Sequence, residues 1–217
     1  MIKQKTLLKQ YELIDCIILN QTKKIFIKNI QKKLKNTSIQ LKINDCDIKD
    51  VKLIKNVLHD DNRGSFLETF RQSLFNDNIN EVNFLQDNVV YSKKNVLRGL
   101  HYQKNYPQGK LVAAIYGDVF DVAVDVRKES KTFGKWVGEL LSDKNHHQLY
   151  IPPGFAHGYC VLSDYAIVTY KCTNYFFKDD QFGIIWNDKS IKIDWPIENP
   201  ILSEKDSKLP QLNLVKL

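Results

Sequence analysis

The chain has 217 residues, 43% of them hydrophobic and 26% charged, with a net charge of +7. This composition is typical of a globular protein with one sizeable core, and no stretch approaches the ~18 consecutive apolar residues that a membrane-spanning helix requires. Residues 1–50 hold 11 lysines and 5 acidic residues, so the rest of the chain is nearly neutral. A nucleic-acid-binding domain would carry its positive charge on the folded body. We therefore expect neither a membrane span nor a nucleic-acid partner.

The first 47 residues form a basic segment whose composition differs from that of the remaining chain. Apolar residues recur there at helical spacing, as at Leu7, Tyr11 and Ile14, which predicts an amphipathic helix. The apolar run in this segment contains an acidic residue and precedes no small-residue cleavage site, so a secretory signal is not expected. We predict a cytoplasmic protein with a helical extension over residues 1–47 and a main domain over residues 48–217.

The cysteines have neither the spacing of a metal knuckle nor that of a disulfide framework. There is no C-x-x-C pair in the sequence, and thiols in a cytoplasmic protein stay reduced. We therefore expect free thiols at all four positions, which are Cys16, Cys46, Cys160 and Cys172.

From about Asp47 onward, short apolar runs alternate with turn residues. The runs are rich in Val, Ile, Tyr and Phe, which is typical of β-strands, and turn signals such as Asp61-Asn62-Arg63-Gly64 and Pro152-Pro153-Gly154 separate them. Many strands at regular intervals with few helices predict a mainly β fold, either a β-sandwich, a jelly roll or a barrel. The runs are Val51–Leu58, Asn83–Gln86, Val112–Tyr116, Val119–Val126, Trp136–Leu141, Gln148–Ile151, Gly158–Leu162 and Ala166–Lys171.

Two of the five histidines have surroundings that indicate chemistry. His157 ends the stretch Pro152-x-Gly-x-x-His157, which resembles the second sequence motif of the cupin barrels. In metal-binding cupins this histidine joins an upstream H-x-H pair and a glutamate, whereas His101 is followed by Tyr102 and Gln103. Two imidazoles without a carboxylate at ligand spacing make a poor divalent-metal site. We therefore expect no metal, and both histidines are available for acid–base chemistry.

Eight stretches in the same order resemble the dTDP-4-dehydrorhamnose 3,5-epimerase family, which epimerises nucleotide-linked 4-keto sugars. The resemblance covers residues 48–210 and implies a cupin-type jelly-roll β-barrel without a cofactor. The reaction it implies is most simply the conversion of dTDP-4-dehydro-6-deoxyglucose to dTDP-4-dehydrorhamnose. The matching stretches are DNRGSFLETF (61–70), FLQDN (84–88), NVLRGLHYQ (95–103), QGKLV (108–112), GDVFDVAVDVRK (117–128), TFG (132–134), IPPGFAHG (151–158) and LSEKD (202–206).

The chemistry explains why such residue types are needed. A ketone at C4 acidifies the hydrogens on C3 and C5, so epimerisation requires a base, an acid on the opposite face of the ring, and a group that stabilises the enolate. The resemblance implies that His101 is the base and that Asp206 orients it. It also implies that Tyr170 is the acid and that Lys110, assisted by Arg98, stabilises the enolate charge.

The resemblance further implies a set of substrate-binding residues. It comprises three cations for the diphosphate or sugar, four polar residues toward the nucleotide, a histidine beside the sugar and a tyrosine that stacks on the pyrimidine. In the family, the segment that holds the first arginine and the glutamate reaches into the neighbouring subunit's site, which implies a homodimer. The residues are Arg63, Arg98 and Lys205; Glu68, Gln86, Asp87 and Asn88; His157; and Tyr175.

Three alternatives stay open at this stage. The first is an enzyme that inverts only C3 or only C5, or one that acts on another nucleotide sugar such as a GDP-linked heptose. The second is a metal-dependent cupin enzyme, against which the missing H-x-H pair argues. The third is a non-catalytic module that binds sugar nucleotides. Binding alone does not need an acid and a base on opposite faces, so the combination of His101, Asp206, Tyr170 and Lys110 favours an enzyme.

Overall fold

The computed structural model describes residues 42–215, which form two antiparallel β-sheets and a separate β-hairpin. The predicted helical extension lies outside the described residues except for its last positions. No helix within residues 42–215 is long and apolar enough to span a membrane.

The secondary structure consists mainly of strands, with two short α-helices in the part of the chain that is described. The strands are β1 (Lys42–Asp45), β2 (Lys52–Lys55), β3 (Leu58–Asp61), β4 (Gly64–Leu67), β5 (Gln86–Lys93), β6 (Leu97–Gln103), β7 (Lys110–Tyr116), β8 (Asp118–Asp125), β9 (Trp136–Ser142), β10 (His147–Ile151), β11 (Phe155–Val161), β12 (Tyr165–Cys172) and β13 (Gln181–Gly183). The helices are α1 (Gln72–Asn78) and α2 (Glu204–Ser207).

The two sheets pack face to face around one apolar core. The larger sheet has the strand order β1-β2-β10-β7-β12-β5, and the smaller one has the order β13-β6-β11-β8-β9. The core takes Val112, Leu149 and Val168 from the larger sheet, and Val119 and Leu141 from the smaller one. Since successive strand residues point to opposite faces, each strand contributes alternate residues to this layer. The predicted mainly β, cupin-type jelly roll is confirmed.

Strand β8 is buried on both faces, and one acidic residue, Asp121, lies in its interior. Val119 and Ala123 face the core between the sheets, whereas Val122 and Val124 pack on the opposite side of the smaller sheet. The alternation places Asp121, which has no exposed surface, on the inner face. A carboxylate buried in this way requires hydrogen-bonding partners.

The outer faces of both sheets are covered in part by other segments. Residues 184–215 run across the smaller sheet, where Ile184, Ile191 and Leu212 join its outer cluster. The larger sheet is covered by α1, whose Phe75 makes edge-to-face contacts with Tyr150 at 5.0 Å and with Phe84 at 5.3 Å between ring centroids. These segments bury apolar side chains on the outer faces of both sheets.

Strands β3 and β4 form a hairpin that is exposed along most of its length. The turn matches the sequence prediction: Asp61 accepts the backbone N–H of Arg63 at 2.8 Å, and Gly64 has a φ of +124°, a conformation that favours glycine.

The first described strand belongs to residues 1–47, the segment predicted as the extension. It pairs with β2 from Lys42 opposite Lys55 to Asp45 opposite Lys52. The division of the chain at residue 47 remains a prediction. Cys46, Cys160 and Cys172 are free thiols, whereas Cys16 lies outside the described residues.

Candidate functional site

A cavity of about 560 Å³ is lined by residues of both sheets. Nine of the predicted site residues line it. From the larger sheet come Gln86, Asn88, Lys110 and Tyr170; from the smaller sheet come Arg98, His101 and His157; and Lys205 and Asp206 come from α2.

His101 on β6 forms a short contact with a buried carboxylate. Its Nε2 lies 2.6 Å from Oδ1 of Asp206. The Asp206 backbone N–H donates to Ser203 Oγ at 3.0 Å, and the Gly99 N–H donates to Asp206 Oδ2 at 3.4 Å. Burial alone raises the pKa of Asp206, but the hydrogen bond and charge of His101, aided by Gly99 and Ser203, hold that pKa below its usual value. Asp206 is therefore an anion that orients the imidazole and stabilises its protonated form.

Two glycines allow the two cavity histidines to lie side by side. His101 and His157 are Cα partners in the pairing of β6 with β11. A Cβ on Gly99 would lie 2.5 Å from the carbonyl oxygen of His157, and one on Gly158 would lie 2.7 Å from that of Arg98. Gly99 also has a φ of +109°, which disfavours any side chain. The sequence therefore needs glycine at both positions to bring these strands together.

A second chain of buried polar groups connects β7, β11 and β8. Nζ of Lys110 lies 3.3 Å from Nδ1 of His157, whose Nε2 lies 2.7 Å from Oδ1 of Asp121. An ammonium group only donates, so Nδ1 accepts and Nε2 carries the proton that is donated to Asp121. Burial lowers the pKa of both Lys110 and His157, and the charge of Asp121 opposes both shifts. This arrangement favours a neutral His157 between a cation and an anion.

Tyr170 lies on β12, in the sheet opposite to His101. Its ring centroid lies 5.9 Å from Nζ of Lys110. Burial raises the pKa of Tyr170 to about 12, and the neighbouring Cys172 and Tyr159 act in the same direction. The phenol is therefore protonated at neutral pH and can donate a proton. The cavity thus holds a proton acceptor and a proton donor on opposite sheets.

Besides Lys110, two cations line the cavity without a carboxylate partner among residues 42–215, and they are Arg98 and Lys205. Nε of Arg98 donates to Oγ of Ser92 at 3.1 Å, and Nζ of Lys205 donates to Oε1 of Gln181. Because both partners are neutral, the two cations keep their net positive charge. The cavity is therefore suited to an anionic ligand such as a diphosphate.

Strand β5 contributes amides to the same cavity. The Gln86 amide donates to Oδ1 of Asn88 at 3.0 Å, and the Asn88 amide donates to Sγ of Cys172 at 3.6 Å. Oε1 of Gln86 accepts the backbone N–H of Phe176, another cavity-lining residue. The amides are thus held in fixed orientations beside an aromatic ring, as recognition of a nucleotide base requires.

Two predicted residues of the hairpin region lie away from this cavity. The side chain of Arg63 is 84% exposed and pairs with Asp61 at 2.6 Å. Glu68 follows the hairpin and pairs with Arg71 at 2.6 Å. The structure of one chain does not bring Arg63 or Glu68 to the other site residues.

Two further predicted residues lie outside the cavity lining. Asp87 is exposed on β5, where it accepts from Lys171 at 2.9 Å. Tyr175 is exposed, and its backbone carbonyl accepts from the Gln103 amide at 3.1 Å. The aromatic ring of this segment that lines the cavity is that of Phe176.

The sequence reasoning missed several residues that line or support the cavity. Asp121 had a signal, because an acidic residue in an otherwise apolar alternating strand indicates a buried carboxylate with a partner. Tyr159, Gln108 and Phe176 line the cavity, but their local sequence resembles that of ordinary core or loop positions. Within residues 42–215, no group of three or more His, Cys, Asp and Glu side chains is arranged to hold a metal ion.

The sequence profile of a known family matches residues 45–213, and its description is dTDP-4-dehydrorhamnose 3,5-epimerase. The enzyme of that name from Shigella flexneri is 54% identical over 162 residues, which are 74% of this chain and 90% of the relative. The Legionella pneumophila dTDP-6-deoxy-D-glucose-3,5-epimerase, solved with dTDP-4-keto-L-rhamnose, aligns with a TM-score of 0.80 and 44% identity over 82% of this chain and 95% of its own.

A more distant neighbour has a narrower activity. The 3′-monoepimerase from Streptomyces bikiniensis, solved with dTDP-quinovose, aligns with a TM-score of 0.74 and 29% identity over 78% of this chain and 87% of its own. The fold, the paired proton acceptor and donor, and these relatives together define an isomerase that epimerises its substrate. The chain belongs to the dTDP-4-dehydrorhamnose 3,5-epimerase family.

Proposed function

We propose that this chain inverts C3 and C5 of dTDP-4-dehydro-6-deoxyglucose to give dTDP-4-dehydrorhamnose. The observation that carries the proposal is one cavity in which His101, bonded to Asp206, and Tyr170 come from opposite sheets. A planar enolate between them would lose a proton on one face and gain one on the other. The product is an isomer of the substrate, so the reaction needs no electron acceptor.

In the first step, the neutral imidazole of His101 takes the proton from the carbon next to the C4 ketone. The electron pair of the C–H bond moves into the ring, and the C4 oxygen becomes an enolate oxygen. Nε2 of His101 is engaged by Asp206, so Nδ1 is the nitrogen that accepts the proton. The carboxylate of Asp206 stabilises the imidazolium that forms, as in other carboxylate–histidine pairs.

In the second step, the hydroxyl of Tyr170 returns a proton to the same carbon from the opposite face. The enolate collapses to the C4 ketone, and that centre is inverted. Proton exchange with solvent then restores the imidazole and the phenol. The same cycle at the second carbon completes the conversion.

Lys110 is the group that we place at the C4 oxygen. Its ammonium is buried and held by His157, which Asp121 in turn orients. A cation in such a water-poor site stabilises developing negative charge far more than one in water. Because its partners are in place before the reaction, little reorganisation is needed as the enolate forms.

The nucleotide end of the substrate would lie toward the cations and amides of the cavity. Arg98 and Lys205 supply positive charge for the diphosphate, and Gln86 and Asn88 supply amides for the nucleoside. Phe176 is the cavity-lining ring available for stacking on the pyrimidine. Tyr175, Asp87 and the neighbouring chain would complete the nucleotide contacts.

The first test is NMR of the protein with dTDP-4-dehydro-6-deoxyglucose in D₂O. Deuterium and inversion at both C3 and C5 are expected, whereas labelling at one carbon would identify a mono-epimerase. Exchange only with another nucleotide sugar would redirect the substrate assignment. Binding of dTDP without any exchange would favour the non-catalytic module.

Two variants test the roles of base and acid. His101→Ala should abolish turnover while dTDP binding remains measurable by calorimetry, and Tyr170→Phe should retain solvent exchange without completed inversion. General acid–base groups contribute ~10²–10⁴-fold, so losses of that order are expected. Tyr165→Phe, an exposed position on the same strand, is the matched control. Normal product formation by either site variant would eliminate the role given to it.

We also propose a homodimer in which each site is completed by its partner. In support, the hairpin β3–β4 is exposed with Phe66 and Arg63 on its surface. The edge strand β5 also presents exposed Val89 and Tyr91. Apolar groups of this kind on a sheet edge are typical of an interface.

Subunit complementation tests the dimer directly. Arg63→Ala and His101→Ala chains, each of low activity alone, are mixed and allowed to exchange subunits. If Arg63 acts in the partner's site, heterodimers contain one intact site and about a quarter of the parental activity returns. If Arg63 acts within its own chain, no activity returns. Light scattering establishes the oligomeric state of the same samples.

A further inference from the structure

Two buried hydroxyl groups connect the sheets beside the cavity. Ser92 lies near the end of β5 in the larger sheet, and Tyr159 lies on β11 in the smaller one. Their hydroxyl oxygens are 3.4 Å apart, and both residues are almost fully buried. The contact bridges the two sheets through side chains. The mechanism above assigns neither residue a role.

The same serine binds the cavity arginine. Nε of Arg98 donates to Oγ of Ser92 at 3.1 Å, and Nη2 of Arg98 lies 3.5 Å from the carbonyl oxygen of Tyr91. Arg98 and Tyr159 are Cα partners in the pairing of β6 with β11, so their side chains share the inner face. Two tethers along one side of the guanidinium leave its other N–H groups available for a ligand.

We propose that Tyr159 and Ser92 are positioning residues that hold the Arg98 guanidinium in the orientation that binds the substrate's diphosphate. This inference rests on the proposed function, because it assigns the ligand of Arg98. A long side chain without a tether loses rotamer freedom when a ligand binds. Fixing the guanidinium beforehand therefore strengthens binding without adding a contact.

The tyrosine hydroxyl has a reason to be present at this position. Burial raises the pKa of Tyr159, so the phenol keeps its proton and can donate it to Ser92. A phenylalanine would fill the same space but would leave Ser92 with one partner fewer. The hydroxyl thus acts on the ligand through Ser92 and Arg98 rather than by direct contact.

The test compares dTDP binding by calorimetry with kcat and KM in three variants. Tyr159→Phe should raise the dTDP Kd and the substrate KM about 3- to 10-fold, and Ser92→Ala should raise them ~10-fold or more, since it removes a bond to a charged group. In both, kcat should stay within about twofold of the parent. Tyr150→Phe and Ser142→Ala remove hydroxyls of residues that are equally buried but do not line the cavity, and both variants should bind dTDP as the parent does.

A double-mutant cycle separates positioning from general structure. In an Arg98→Lys background, Tyr159→Phe should change the dTDP Kd by less than about twofold, because the guanidinium group that Tyr159 and Ser92 orient is absent. The proposal would be overturned by unchanged dTDP binding in Tyr159→Phe or by additive effects in the cycle. A fall in kcat at constant KM would also overturn it, because the Tyr159 hydroxyl would then take part in the reaction itself. If the unaltered protein shows no epimerisation, the proposed reaction fails, while the dTDP measurements still decide the positioning role.

Discussion

Replacing Asp206 with asparagine is the most direct perturbation of the base. Asparagine keeps an oxygen that accepts from Nε2 of His101, so the ring orientation survives, and what is lost is the negative charge. With 2.6 Å between the two atoms, the centres of charge of imidazolium and carboxylate are roughly 4 Å apart, which corresponds to about 4 kcal/mol at an effective dielectric constant of ~20.

Only part of this energy acts on the rate. The proton is partly transferred in the transition state, so we expect the activation free energy to rise by about 2–3 kcal/mol, which lowers kcat ~30- to 150-fold. The dTDP Kd should change little, because Asp206 contacts His101 rather than the nucleotide in this arrangement.

The assay is the initial rate of deuterium incorporation at C3 and C5, with the configuration of the product followed by NMR. Glu204→Gln is the matched control, since it removes a carboxylate two positions away on the same helix, where Glu204 is exposed and paired with Lys208 at 2.6 Å. Such exposed pairs contribute little. An Asp206→Asn rate within threefold of the parent would refute the reasoning that the carboxylate stabilises the imidazolium.

Three further outcomes are expected. Lys110→Gln should lower kcat ~10²-fold or more. Because burial lowers the pKa of Lys110, the parent enzyme should lose activity as the pH rises through a value below 10.5. A rate that is still constant at pH 10.5 would contradict this. Burial raises the pKa of Asp125, but hydrogen bonds from Arg127, Ser130 and Thr132 outweigh this effect and lower the pKa to about 2. Asp125 therefore stabilises the fold above pH 4 by about 2 kcal/mol. In chemical denaturation, the free energy of unfolding of the parent should lose this contribution as the pH falls to about 2. Asp125→Asn should not show this pH-dependent loss. Phe75→Ala should lower the free energy of unfolding by about 3–5 kcal/mol; a loss under 1 kcal/mol in urea would show that the aromatic cluster is not tightly packed.

The strand pattern of the main domain could be read largely from local sequence, with informative errors. The runs 112–116, 119–126 and 148–151 correspond to β7, β8 and β10, because apolar β-branched residues bounded by turns leave few alternatives. The run 83–86 was wrong as a strand, since β5 begins at Gln86 and extends to Lys93. Its apolar residues are confined to the short run Val89–Tyr91, and the polar residues on both sides of that run on this edge strand made it look like a loop.

Strand β6 was also missed, and for a functional reason. The stretch Leu97–Gln103 carries Arg98, His101 and Gln103 on a strand, and such polar residues weaken the apolar signal on which strand prediction depends. The polar cluster did indicate a functional position, even though it concealed the secondary structure. Local rules of this kind fail most often where a strand supplies a site.

The sequence by itself determined the residue types available for chemistry. Through the family resemblance it also indicated which of these residues form the catalytic and substrate-binding set. Only the tertiary structure decided which of them meet. His101 and Asp206 are 105 positions apart yet lie 2.6 Å from each other, and the contacts of Asp121 with His157 and of Ser92 with Tyr159 also join distant strands. Period-2 alternation assigns each residue to a face, but sheet order and register decide its neighbours, and these depend on long-range pairing that no local pattern encodes.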